Sequence, residues 1–397
     1  MNQQKALCLI LITSLFFLTG CWDRTELNDL GIELGWGLDA AKNNGIRITA
    51  QFIIPSNFGI SQSGGGGQKG KSFFIESGTG KDTLQAVQDM QTKLSREVFR
   101  GHRRVIVIGE QLARRGLASV LDTYSRDPEI RLRADALIVK GSTAKEFLEV
   151  SHPLENIPAL GALKEHKQVG GLGDTSLLNF LIAATSDGIT PILPVIELVH
   201  SSNKQDQTGI KGFQIVGGAI FNKDLKLIGF LNKQEGSTSL WIVNRLSKLT
   251  LTANVPQGNG NASLYMTKIE SKIIPLIQGH TIKFDIALSG EGIIRENNTN
   301  LDLTQPKNIT LLERLLEKEA EKQAFEIIEK VQKQYGTDIF GLGEAIHQKY
   351  PSKWKGLKGN WGSQFRRVQV SVHANLTIRR VGLTGPSLQL EQDKIKK

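Results

Sequence analysis

The residue with the clearest chemistry is Cys21, which follows Leu18-Thr19-Gly20. Small side chains ahead of a scissile bond let an extended backbone enter a peptidase groove. The thiol just beyond is a nucleophile that a diacylglycerol donor can alkylate. Upstream, Lys5 supplies a small positive region, and residues 6–18 form an apolar run. That run is shorter than the roughly 20 residues a membrane-spanning helix needs. Residues 1–20 therefore read as a cleaved lipoprotein signal peptide.

This order of an apolar residue, two small ones and a cysteine resembles the bacterial lipobox. After cleavage Cys21 would open the mature chain, with two acyl chains on sulfur and a third on its amine. Each buried methylene contributes about 0.8 kcal/mol, so two or three chains hold where one holds only marginally. The expected partner of this residue is membrane lipid. The other cysteine, Cys8, lies inside the leader, which leaves no pair for a disulfide and no cluster for zinc. The seven histidines are scattered singly from His102 to His373, none at metal-ligand spacing. No metal or cofactor is expected.

Three further constellations invite a chemical reading. Gly78-Thr79-Gly80-Lys81-Asp82-Thr83 has part of a phosphate loop, but the earlier glycine is missing and Asp82 replaces the magnesium-binding hydroxyl. A helix-initiating turn is the better reading. Gly35-Trp36-Gly37-Leu38-Asp39-Ala40 matches a dinucleotide fingerprint only formally, because Asn43-Asn44-Gly45 turns into the next strand where a helix should begin. Arg100-Gly101-His102-Arg103-Arg104 with Arg114-Arg115 is the densest basic patch. It reads as a solvated face, or as a contact for anionic lipid or an acidic partner. Aromatics interleaved for base stacking are lacking, so nucleic acid is not expected. No Gly-x-Ser-x-Gly elbow occurs, and no motif singles out an acid/base pair. The chain reads as a non-enzyme.

The elements that would carry these residues are mixed. Hydrophobic residues make up 39% and charged residues 22%, with a net charge of +10, which suits a folded protein able to sit beside anionic headgroups. Alternation places strands at 31–38 and 46–54, and helical spacing places a helix at 81–98. Further strands fall at 105–108, 134–139 and 195–199, with helices at 110–125, 143–150 and 175–185. Residues 21–200 thus form an N-terminal α/β domain, interrupted by a loop around Gly64–Gly67. A linker at 201–208 leads to a small middle domain (201–258) with strands at 214–221 and 225–231 and a helix at 238–246. A C-terminal α+β domain (259–385) holds a hairpin at 264–288 and a long helix at 309–335. Thr310 and Glu313 form its expected capping box, and Leu312, Leu316, Ala320, Ala324, Ile328, Val331 and Tyr335 its apolar stripe. A strand lies within 365–378, and residues 386–397 should fray. The fold class is mixed α/β or α+β, with sheets packed by helices.

Cys21-Trp22-Asp23-Arg24-Thr25-Glu26-Leu27 resembles the mature start of the GerC family, the lipoprotein C subunits of nutrient germinant receptors in spore-forming bacteria. The resemblance continues through residues 101–110, Arg126-Asp127-Pro128-Glu129-Ile130-Arg131, Gly218-Ala219-Ile220-Phe221 and residues 227–231. It ends on Asp338-Ile339-Phe340-Gly341-Leu342-Gly343, Pro351, Trp354, Trp361 and Phe365. It covers nearly the whole mature chain, and the glycine run departs from it. It implies three domains on the outer face of the spore inner membrane, in complex with integral-membrane A and B subunits. It implies no catalytic residues and no tight small-molecule ligand. Pro128 reads as a turn residue, and Trp354 and Trp361 read as core. The alternative, a solute-binding lipoprotein of a transporter, needs two similar α/β lobes around a cleft, which the C-terminal third does not supply.

Overall fold

A computed structural model of the chain describes residues 26–55, 72–127, 130–150, 152, 154–169, 175–200, 210–279, 281–382 and 395–396. Cys21, Pro128, the Gly64–Gly67 run, the expected linker and most of the tail lie outside these residues.

The first sheet begins as an antiparallel meander of β1 (Leu30–Ala40), β2 (Ile46–Ile53) and β3 (Phe73–Gly80). β4 (Glu97–Phe99) and β5 (Val105–Gly109) run parallel to β1, and β6 (Asp135–Lys140) and β7 (Ile192–His200) continue the parallel centre. Every residue of β5 is buried, as an interior strand covered on both faces requires. Helices α1 (Thr83–Gln91), α2 (Glu110–Arg115), α3 (Ala118–Arg126) and α6 (Leu177–Thr185) serve the core around Trp36, Ile106 and Ile138. Helices α4 (Ala144–Glu149) and α5 (Pro158–Gln168) serve the core on Val105, Val107 and Leu137.

The helix expected over 81–98 is shorter, because Val98 is drawn into β4 beside the start of β1. Gly78 lies where α1 crosses its strand: a Cβ there would sit 2.0 Å from the Ala86 carbonyl oxygen.

The strands expected in a middle unit do not stand apart. β8 (Ile210–Phe221) pairs antiparallel with β7, and β9 (Leu227–Leu231) with β8, closing the first sheet in the order β3-β2-β1-β5-β6-β7-β8-β9. Pairing on β7 satisfies the edge that a separate unit would leave open. Helix α7 (Lys233–Ile242) starts five residues before the expected position. Asn232 and Glu235 there form a reciprocal capping box, a sequence signal that lay one turn upstream of the apolar residues.

The second sheet has the order β10 (Leu249–Val255), β11 (Gly260–Gln278), β12 (Thr281–Asn297), β13 (Gln369–Arg380). The long β11–β12 hairpin turns between Gln278 and Thr281 as expected, with Gly279 at φ 57°. Helix α8 (Pro306–Lys330) buries Leu312, Leu316, Ala320, Ala324 and Ile328, the expected stripe, against β10, β12 and β13. It ends in a π turn, Val331–Tyr335, closed by Gly336 at φ 64°.

The expected cap of α8 does not form. Pro306 takes the first helical position, where a missing N–H costs nothing, so the helix starts one turn early. Thr310 Oγ1 instead donates to the Pro306 carbonyl at 3.1 Å. Glu313 turns to β13, and with Glu317 and Glu321 it makes a row of carboxylates along that strand. They accept the backbone N–H groups of Ile378, Leu376 and Ala374 at 2.8, 3.1 and 3.0 Å. Helices α9 (Leu342–Lys349), α10 (Pro351–Leu357) and α11 (Trp361–Phe365) complete this half. Of the expected tail, Lys396 bridges Leu301, and its Nζ donates to the Gln257 carbonyl.

Candidate functional site: the junction of the two sheets

The Asp338-to-Gly343 motif lies where the halves meet. Asp338, 4% exposed, has turned its carboxylate back over the start of α9. Oδ1 accepts from Phe340 N at 3.0 Å and Gly341 N at 2.9 Å, and Oδ2 from Gly343 N at 2.8 Å and Trp361 Nε1 at 2.9 Å. Burial raises this carboxyl above its usual range, and hydrogen bonds led by those from Gly343 N and Trp361 Nε1 oppose the rise. The Asp338 carbonyl accepts from Thr190 N at 2.7 Å and from the Thr190 hydroxyl, in the chain entering β7.

At Gly343, within this knot, the halves pack closely. A Cβ at Gly343 would lie 2.6 Å from Trp361 Nε1, 2.7 Å from Trp354 and 2.8 Å from Gly188 Cα. The two indoles pack edge to face at 5.4 Å, in the core role expected of them. Lys223 Nζ donates to the Ser186 and Ile189 carbonyls, Lys330 pairs with Glu235 at 2.7 Å, and the Tyr335 hydroxyl donates to Phe230 O. The last two contacts join the first sheet and its appended α7 to the C-terminal helices, while the Lys223 bonds lie within the first half.

Beside the knot a cleft of about 490 Å³ opens between α6 and the β11–α9 side. Phe180, Ile192, Leu240 and Phe340 line its apolar part, and Arg245, Lys272 and Glu344 stand at its polar part. His166 lines both this cleft and a smaller cavity of about 60 Å³. It is 4% exposed, its Nδ1 has no hydrogen-bond partner, and burial, then the Lys167 charge, lower its pKa to about 4. The ring is a neutral imidazole near pH 7. Among the described residues no group of three His, Cys, Asp or Glu side chains is placed to hold a metal.

The other motifs resolve into packing and internal ion pairing. Gly80 ends β3, and Asp82 caps α1 by accepting from Gln85 N at 2.8 Å. Asp39, in the formal dinucleotide motif, caps α4 by accepting from Ala144 N at 2.8 Å and Lys145 N at 3.0 Å. Gly35 lets that layer approach, since a Cβ there would meet Ala159 and Leu148 at 2.9 Å. Most of the basic patch is engaged within the chain. Arg100 pairs with Asp127 at 2.5 Å, Arg114 with Glu110 at 2.7 Å, and Arg115 donates to the Gly45 carbonyl. Arg103 is buried, with Nε on Glu33 Oε1 at 2.7 Å and its guanidinium 3.9 Å above the Trp36 ring. His102 and Arg104 are exposed. Burial pushes Glu33 up to about 7, against the pull of Arg103. Glu33 and His166 carried no sequence signal, because nothing local marks a side chain whose partner is 70 residues away or whose neighbours come from other elements.

Fold and site define a two-sheet α+β body whose buried polar groups fasten one half to the other. Two family models match in succession and together take in most of the chain: "Spore germination protein N-terminal domain" over residues 23–198 and "Spore germination B3/GerAC like, C-terminal" over residues 216–382. The chain is similar to Spore germination protein KC of Bacillus subtilis (strain 168), 27% identical over 396 residues, covering 96% of this chain and 97% of that one. Spore germination protein YndF from the same organism is 28% identical over 401 residues, covering 94% and 95%. Spore germination protein B3, also from there, is 24% identical over 384 residues, covering 95% and 98%. The crystal structure of the GerBC protein shares the fold, with a TM-score of 0.54 at 20% identity over 87% of this chain and 97% of that one. The chain belongs to the GerC-type family of spore germination proteins.

Proposed function

We propose that this protein is the lipid-anchored, non-catalytic C subunit of a nutrient germinant receptor. On this reading it sits on the outer face of the spore inner membrane and works in complex with two integral-membrane subunits, A and B. The observation that carries the reading is the run of matches to spore germination proteins, which begins at residue 23, two positions after Cys21. Acylated Cys21 is the tether. Among the described residues no helix is long and apolar enough to cross a bilayer.

The junction supports a coupling role. A body whose halves share the Asp338–Thr190 hydrogen bonds transmits a displacement of one sheet to the other. The transporter reading fits less well, because the two sheets differ in kind: one has a parallel centre between helix layers, and the other is a long antiparallel hairpin, extended by one parallel strand and packed on α8.

The test is made in spores. Cys21→Ala should release the protein from the inner-membrane fraction and slow germination on at least one nutrient while leaving non-nutrient germination intact. Tagged wild-type protein solubilised in detergent should bring down two integral-membrane proteins. A Cys21→Ala protein still recovered in acylated, membrane-bound form would refute the anchor, and purification without membrane companions would refute the assembly.

A further inference from the structure

Glu344 and Glu391 are successive acids in the sequence, and six basic residues of the cap formed by α9, α10 and α11 fall between them: Lys349, Lys353, Lys355, Lys358, Arg366 and Arg367. The large apolar side chains of the cap face inward, with Trp354 and Trp361 3% exposed and Phe365 sealed. The cations that alternate with them are exposed. Lys358 meets a carboxylate, Asp187, at 3.2 Å. Arg366 donates to the Lys333 carbonyl beyond α8, and Lys349 and Lys353 stand 5.4 and 5.6 Å from the Tyr350 ring. The side chains of Lys355 and Arg367 have no polar partner among the described residues. Glu344, the acid in the first turn of α9, is met by Gln348 and His347.

The cap sits at the end of the first sheet from which the chain departs toward Cys21. β1, β5, β6 and β7 are parallel, so all four begin at one end of that sheet. The cap is fastened there, just ahead of β7: Glu344 N donates to the Gly188 carbonyl at 3.3 Å, and Lys358 pairs with Asp187. Three strand spacings separate the starts of β1 and β7, roughly 15 Å. The five residues from Glu26 back to Cys21 span at most about 18 Å. An acyl anchor at Cys21 therefore brings this end of the sheet against the headgroups. Arg104, Arg131 and Arg133, exposed on the turns before β5 and β6, stand at the same end and pair with no acid among the described residues. The exposed acids Glu26, Asp29 and Glu97 lie around the start of β1, on the far side from the cap. Leu276, 43% exposed, adjoins Pro275, whose carbonyl accepts Lys349 Nζ at 3.2 Å, so an apolar side chain stands at the rim of the charge.

Given the Cys21 anchor, on which this inference rests, we propose that the cap of α9, α10 and α11 is a docking surface for the anionic headgroups of the bilayer. It is a second contact, which sets how the tethered body lies on the membrane. Unpaired point charges on flexible stems, with Leu276 at their edge, suit a fluid layer of headgroups, which demands no fixed geometry. Each Lys or Arg close to an anionic surface strengthens binding about fivefold, and the attraction fades within a Debye length.

The mature chain with Cys21→Ser carries no acyl group, so its binding reports the surface alone. It is sedimented with vesicles of phosphatidylglycerol and phosphatidylcholine in equal parts, and with vesicles of phosphatidylcholine only. It should bind the first and not the second, and should release as salt rises. Adding Lys353→Gln, Lys355→Gln and Arg367→Gln should weaken that binding roughly a hundredfold. The control Arg314→Gln, Lys318→Gln, Lys322→Gln removes the same charge from the exposed side of α8, and should weaken it less than about threefold. Far-ultraviolet circular dichroism confirms that both triple variants are folded. No binding to the anionic vesicles (the result an acidic protein partner would give), equal binding to the two vesicles, or equal losses in the two triple variants would each overturn the surface. None of these outcomes touches acylation, whose failure shows separately as an unmodified Cys21 in native membranes.

Discussion

Replacing Asp338 by Asn tests whether the junction is held by a carboxylate. The native group receives four N–H donors, two on each oxygen. An Asn amide can keep its oxygen toward one pair, and its NH₂ must then face the other pair, donor against donor. Two hydrogen bonds to a charged acceptor are lost, each worth about 1.5–3 kcal/mol, so the substitution should cost about 4 kcal/mol. Trp361→Phe removes one donor and leaves the carboxylate, which should cost about 2 kcal/mol. The double variant should cost less than the two losses added together, because the Trp361 donor has no acceptor to lose in the wrong amide orientation. The assay is equilibrium urea unfolding at neutral pH, with the m-value checked for constancy. The outcome also reports protonation. If burial kept Asp338 protonated at pH 7, one oxygen would already carry a proton and Asn would be a near-isostere. A loss under 1 kcal/mol for Asp338→Asn at unchanged m would therefore refute the ionised, four-donor account.

Two buried groups should tilt the pH dependence of stability in opposite senses. Glu33, raised from 4.5 to about 7, contributes stability that is full below pH 4.5 and lost as pH rises through 7. His166, lowered from 6.5 to about 4, contributes stability that is full above pH 6.5 and lost as pH falls through 4. Each displacement corresponds to about 3 kcal/mol, so urea midpoints from pH 4.5 to 7.5 should fall with rising pH in His166→Gln and rise in Glu33→Gln; parallel curves for the two variants would contradict this assignment. Gly343→Ala places a methyl against Trp361, Trp354 and Gly188, so the unfolding free energy should drop by about 2 kcal/mol, and an unchanged value would mean that the junction can open to admit it.

What could be read from the chain was what short stretches encode. The apolar run of β5 and the three-to-four-residue spacing of the apolar stripe on α8 mark those elements from the sequence alone. The bounds that moved were set by partners distant in sequence. Residues 97–98 read as helix until β1 claims them, and residues 210–231 read as a separate unit until β7 offers an edge. Thr310 and Glu313 have capping-box spacing, but Pro306 had already started the helix. The tryptophans at 354 and 361 were legible as core, whereas the acceptor for the Trp361 N–H was not, since Asp338 looks locally like any turn aspartate. The same holds for Arg103: a run of basic residues suggests a surface, and only the fold shows one of them sealed over Trp36.

The carboxylates of Glu313, Glu317 and Glu321 do more than dock α8. β13 closes one side of the second sheet, and an open strand of that kind is a template on which a neighbouring copy can add its own. With the N–H groups of Ala374, Leu376 and Ile378 already occupied, that side has little left to offer. A negative row stands beside it and would meet the same row on an approaching twin. On a molecule concentrated on one surface, as the proposed anchor implies, encounters between copies are frequent, and the helix then acts as a guard against zipping into fibres.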